Sequence, residues 1–331
     1  MSFSLLSLWP FSLHAQTVLV VQEGLNQVTL FSAINPAERK VIAVGNKPHE
    51  VELTPDGRTA FVTNFGLLEA NHKEGSPGHT ISVLDVARRE ERTRWNLPAL
   101  SSAPHGLKLR PPKYGELFTN AEEGDGHMAV FDAGSGMVLR TFALPAGVHN
   151  FVFNRDGSAL FAFTMGGEVL RIDPESGKVL ARVGTGSPRG LAWTADGQSL
   201  MVSGKDEVLL LDPTSLAVVR RMANLGVGQV FYPAATPDGK WILAPAVVDG
   251  VVVVIDAATG AVARRIETGS PLLVSFVGSQ AWVSNVKVPA GMFGPSTVPK
   301  DGGVVAVDLT TFETRAVASI VDANGLVVAP K

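Results

Sequence analysis

Apolar and polar residues alternate along most of the chain in short runs, and the runs are separated by tight polar turns. The stretch "NKPHEVELTPDGRTAFVTN", beginning at Asn46, shows the unit: two alternating segments of strand character flank an Asp56-Gly57 turn. The same phrase returns at Asp156, Asp196 and Asp238, in steps of 40 and 42 residues. A second turn keeps step with it in "FDAGSG", "IDPESG", "LDPTSL" and "IDAATG", which carry Asp132, Asp173, Asp212 and Asp256. Aspartate bonds its own backbone in such turns and glycine accepts positive φ, so each repeat is predicted to be a four-stranded meander.

A four-stranded sheet cannot bury both faces alone, and repeats of about 40 residues bury them by packing side by side around an axis. Six units begin near Pro48, Pro104, Val148, Pro188, Val230 and Pro271. Three orphan strands precede them, "TVLVVQE", "QVTLFSA" and "RKVIAVG", and these match the last three strands of a unit. The missing first strand is "ANGLVVAP" near the other end, where Leu326 and Val328 fall over Val51 and Leu53. The expected fold is therefore all-β, a seven-bladed β-propeller of four-stranded blades, closed by a C-terminal strand that completes the N-terminal blade. Blades are numbered from this composite one.

The phrases "PHEVELTPDGRTAFVTN", "PHGLKL" and "SPRGLAWTADGQSLMVSG" resemble the repeats of the YVTN or YncE-like family of seven-bladed propellers. The resemblance runs from Thr17 nearly to the C-terminus and implies the fold; it implies no particular activity, because propellers with similar repeats serve unrelated functions. Blades 3 and 7 depart from it, with "RPPKYGE" and "VGSQ" in place of the Asp-Gly turn.

Composition narrows the chemistry. A formal charge of -3, with no Lys/Arg-rich run, supplies no basic field for nucleic acid. There is no cysteine, which excludes disulfides, thiolate nucleophiles and Cys-ligated metal. "MSFSLLSLWPFSLHAQ", residues 1–16, reads as a shortened signal segment or an apolar tail, and residues 17–331 as the propeller domain; a periplasmic or secreted location is expected. No later segment is long and apolar enough to span a bilayer, since "VVDGVVVVIDAATGAVA" is interrupted by Asp249, Gly250 and Asp256.

The meander places the long loops on one rim: "FGLLEANHKEGSPGHT", "AEEGDGH" and "VKVPAGMFGPSTVPKDGG". On that rim the first strands of blades 1 to 7 begin with Asn324, His49, His105, His149, Arg189, Phe231 and Leu272, and the second strands end with Gln22, Asn64, Asn120, Thr164, Gly204, Ala246 and Asn285. Polar groups thus cover the rim of blades 7, 1, 2, 3 and 4 and continue to Arg189. His49, His105, His149, Arg189, Asn324, Asn64, Asn120 and Asn285 are the candidate ligand-binding residues, for a small molecule or a protein partner. Equally, each histidine could brace a neighbouring backbone and each asparagine could cap a turn. An alternative is a zinc or copper site in which His49, His105 and His149 share one ion with a loop carboxylate or water. A lactonase-like hydrolase, with a histidine as general base and Arg189 on the oxyanion, is the enzymatic alternative; no Gly-x-Ser-x-Gly elbow accompanies it. His105 is expected to be partly exposed. Loop residues His72, His79, Glu122, Glu123, Asp125 and His127 read as solvated, and Trp193, Trp241 and Trp282 as packing between blades.

Overall fold

The computed structural model describes residues 16–68, 74–99, 101–123, 126–292, 298–317 and 320–329. These form seven four-stranded antiparallel sheets. In each, the strand order follows the chain from the inner to the outer strand, except in blade 1, where Ala323–Val328 is the inner strand and pairs with Thr17–Gln22. Val18 lies opposite Val328 and Val20 opposite Leu326, the register expected from the match to Val51 and Leu53. Residues 1–15, all of the expected signal segment but Gln16, lie outside the described residues.

The apolar positions of the alternating pattern fill seven cores, each between two neighbouring blades. The core between blades 7 and 1 contains Val18, Phe31, Trp282, Val304 and Leu326, joining the two ends of the chain. Trp282 is fully buried there, and the Trp193 Nε1–H reaches across from blade 5 to the Phe153 carbonyl at 2.7 Å. Burial of aromatic and branched side chains on both faces is what stabilises each sheet.

The turns of the opposite rim follow their chemistry. Asp56, Asp196 and Asp238 each accept a threonine hydroxyl at 2.6 Å and the backbone N–H two residues on at 3.0 Å. The glycines after them, Gly57, Gly197 and Gly239, have φ of 66°, 70° and 71°. Asp212 and Asp256 bind the N–H and then the hydroxyl of Ser215 and Thr259.

Two inner strands are shorter than the pattern predicts. Blade 5 pairs only over Leu191–Trp193 and blade 6 over Ala234–Ala235. In blade 6, Pro233 lacks an N–H to donate to the ladder and faces a strand that itself contains Pro245.

Removing residues 323–331 should expose the edge of the Thr17–Gln22 strand and strip Ala323, Leu326 and Val328 from the core between blades 7 and 1. The expected result is a lower melting temperature and self-association, read by light scattering during a thermal melt; unchanged melting of a monodisperse protein would contradict this closure.

The turn aspartates also set an acid limit. Thr54, Thr194 and Thr236 hydroxyls, and then backbone N–H groups, hold Asp56, Asp196 and Asp238 below the ordinary value of 3.8. Asp212 and Asp256 are lowered mainly by backbone N–H groups. A folded-state pKa below the unfolded one contributes stability that is full above the unfolded value and is lost as pH falls through the folded value. Urea midpoints should therefore hold from neutral pH to about pH 4 and fall below it.

Candidate functional site

One irregularity builds the rim. The second strand of blade 2 pairs Asn64 with Pro48 and Val62 with Val51, so two residues, His49 and Glu50, stand opposite Thr63 alone. The same extra residue occurs at His105 and Gly106 in blade 3, at His149 in blade 4, at Leu272 in blade 7 and at Asn324 in blade 1. These are β-bulges, which free a side chain from the alternation of the ladder and re-aim it. The hydroxyl of the strand opposite satisfies the displaced backbone: Thr63 Oγ1 accepts the Glu50 N–H at 3.0 Å, Ser203 Oγ the Arg189 N–H at 3.2 Å, and Ser284 Oγ the Leu273 N–H at 3.2 Å. This is a physical reason for Thr or Ser in the "VTN", "VSG" and "VSN" phrases.

The three histidines form a stack. Ring centroids of His49 and His105 are 4.2 Å apart, and those of His105 and His149 are 4.1 Å apart. Phe65 packs edge-on against His49 and His105. His105, expected to be partly exposed, is fully buried between its neighbours. Two carboxylates join the stack. His49 Nδ1 lies 3.9 Å from Glu50 Oε1, while Glu122 Oε1 lies 2.7 Å from His149 Nδ1 and 3.9 Å from His105 Nδ1. Donor atoms of His105, Glu122 and His149 lie within 4.8 Å of one another, as do those of His49, Glu50 and His105. Glu122 is therefore a largely buried member of the cluster, in place of the solvated loop residue expected: the second strand of blade 3 runs on to Glu123. His72 and Asp125 lie outside the described residues, as does the side chain of Glu123.

Next to the stack opens a cavity of about 900 Å³. Its wall includes His49, His149, Glu122, Arg189 and Asn324 from blades 1 to 5, and Phe231, Val247, Leu272, Val286 and Met292 from blades 6 and 7. The apolar side is a packed cluster of Val247, Leu272, Val286 and Val288. Arg189 is half-buried, and that burial lowers its pKa against the opposing influence of Tyr232. The Asn324 Nδ2 is buried with no hydrogen-bond partner among the described residues.

The other carboxamides serve the frame. Asn64 Nδ2 donates to Thr80 and Ser82 within its blade, at 2.9 and 3.0 Å. Asn120 Nδ2 donates to the carbonyls of Val148 and His149 in the next blade, at 3.2 and 3.1 Å. Asn285 accepts the Ser270 N–H at 2.8 Å. Gln22 binds Gln27, Thr29 and the Val321 carbonyl.

Below the stack, residues just after the rim column alternate in size around the channel: Gly325, Glu50, Gly106, Asn150, Gly190 and Tyr232. Asn150 Nδ2 donates to Glu50 Oε1 at 2.8 Å across blade 3 and approaches the Tyr232 hydroxyl at 3.4 Å across blade 5. Burial raises the pKa of Glu52. For Lys108, burial opposes the charge, but the Glu52 and Glu50 carboxylates outweigh it and hold the ammonium above its ordinary value.

No family model matches the chain, and no curated protein matches it. Solved structures do. A functionally unknown protein from Desulfotomaculum acetoxidans DSM 771 superposes with a TM-score of 0.72 at 12% identity, covering 95% of this chain and 99% of its own. Kuenenia stuttgartiensis hydrazine synthase superposes with a TM-score of 0.66 at 18% identity, covering 90% of this chain and 93% of that one. At these identities the likeness establishes the class, a seven-bladed β-propeller. Among the described residues no helix is long and apolar enough to cross a membrane.

A methyl group on Gly106 would lie 2.6 Å from Asn120 Oδ1 and 2.7 Å from Asn150 Oδ1. Gly106→Ala should thus destabilise the fold by about 1–3 kcal/mol through overpacking, read from denaturant midpoints. An unchanged midpoint would show that the channel has slack.

Proposed function

We propose that the chain is a YVTN- or YncE-like propeller acting as a binding module, with a small amphiphilic molecule in the rim cavity. One observation carries this reading: a single concave wall presents histidine, carboxylate and guanidinium groups on one side and a packed apolar cluster on the other. Few polar groups in a largely apolar cleft are the usual makeup of a small-ligand site. A head group that accepts hydrogen bonds suits Arg189 and the Asn324 amide, and an apolar body suits Phe231, Leu272 and Met292. The apolar, serine-punctuated start of the chain supports export.

A thermal-shift screen of small amphiphiles tests the reading. A ligand at one hundred times its Kd adds about 2.7 kcal/mol, enough for a clear rise in melting temperature. The rise should vanish in Leu272→Trp, which fills the apolar side, and shrink in Arg189→Ala. Hits that stabilise both variants as well as the wild type would place binding elsewhere, and a screen without hits would count against a small ligand.

A further inference from the structure

We infer that His105, Glu122 and His149 form a binding site for a divalent transition-metal ion in the wall of the rim cavity. This deepens the cavity reading, since the ion would supply one of its polar contacts. Zinc bonds of about 2.0–2.1 Å in a tetrahedron set neighbouring donors about 3.3 Å apart. The two separations of Glu122 Oε1 from the imidazole Nδ1 atoms, 2.7 and 3.9 Å, straddle that spacing, and donor atoms of all three residues lie within 4.8 Å of one another, so side-chain adjustments suffice for them to share one ion.

The donor chemistry fits as well. Two imidazoles and one carboxylate form an N₂O set that zinc or copper accepts and that calcium or magnesium, which prefer oxygen donors, does not favour. Three protein ligands leave a position for water or an incoming group. Because Glu122 and His149 line the cavity while His105 is sealed behind, that position faces the cavity. The ligand backbones are held from outside the cluster. Asn120 ties the Val148 and His149 carbonyls, and Thr63 Oγ1 reaches the His105 carbonyl at 3.3 Å. Such outer contacts restrict the motion of the ligands.

The sequence suggested three histidines around one ion; the structure divides them. His49 pairs with Glu50, whose Oε1 already accepts the Asn150 amide at 2.8 Å and whose Oε2 lies 3.9 Å from the Lys108 ammonium. That carboxylate is committed to the channel network, which makes the His49 cluster the poorer site. His105, Glu122 and His149 carry the assignment.

Chelator-treated full-length protein, titrated with zinc against a chromophoric competitor, decides the matter. One equivalent should bind. Glu122→Gln, which keeps the shape and removes the charge, and His149→Ala should each weaken zinc by at least about 100-fold. His49→Ala should still bind one equivalent. Circular dichroism and melting of the zinc-free variants identify misfolding; if His149→Ala fails to fold, Glu122→Gln is decisive. Absence of zinc binding by the wild type, or wild-type affinity in folded Glu122→Gln, would overturn the site. Leu272→Trp separates this outcome from the cavity reading: it should bind zinc and refuse the small molecule. Zinc binding in the wild type without any amphiphile binding would leave the metal site standing and remove the cavity proposal.

Discussion

Seven inner strands crowd around one channel, and every side chain they send inward competes for the same space. Close approach is relieved at alternate blades by glycine. A methyl on Gly325 would lie 2.8 Å from the His49 carbonyl oxygen, and one on Gly190 would lie 2.6 Å from Tyr232 Cα. With Gly106, these positions give Glu50, Asn150 and Tyr232 the room to meet over the intervening blades. Alternation of small and large residues is a general way to fill a narrow ring. Here it yields a hydrogen-bonded layer that ties blades 2, 4 and 6 together beneath the rim.

The bulge above that layer changes the role of the residue at the mouths of blades 1, 2, 3, 4 and 7. A residue inside the ladder must satisfy its partner strand and its face of the sheet. The extra residue does neither, because the Thr or Ser opposite takes the displaced N–H. Its side chain is consequently free to vary from blade to blade while the frame stays constant. Asparagine, three histidines and leucine occupy that position in blades 1, 2, 3, 4 and 7. The asymmetry of the cavity rests on this freedom.

Periodicity made the architecture legible in the sequence: the two aspartate turns fixed the blade length, and the match of Leu326 and Val328 to Val51 and Leu53 revealed the closure, since both depend on local chemistry and strand pattern. The column from Asn324 to Leu272 was also readable, because the start of the inner strand sits at a constant place in the repeat. Two parts of the site were not. Glu122 appeared to belong to a solvated loop, and only the extension of its strand beyond the rim brings it against His149. Glu50 follows His49 directly, and its role depends on Asn150, one hundred residues away in sequence. For Asn64, Asn120 and Asn285 the sequence could not show the frame hydrogen bonds that the structure adds. A carboxamide suits a ligand and a backbone carbonyl equally well, and the choice is made by where the next blade places its carbonyls.

Energetics explain why the histidine stack is informative beyond its geometry. Burying titratable groups costs stability unless partners compensate them, and an apolar core of similar volume would serve the fold as well or better. The bulge of blade 7 holds Leu272, so the scaffold accepts an apolar residue at that place. Ring closure therefore makes no demand for imidazole. Glu50 and Glu122 are drawn into the same buried region, within 3.9 Å of ring nitrogens. Two carboxylates and three imidazoles are thus concentrated at one sector of a ring whose frame does not require them, beside an open cavity.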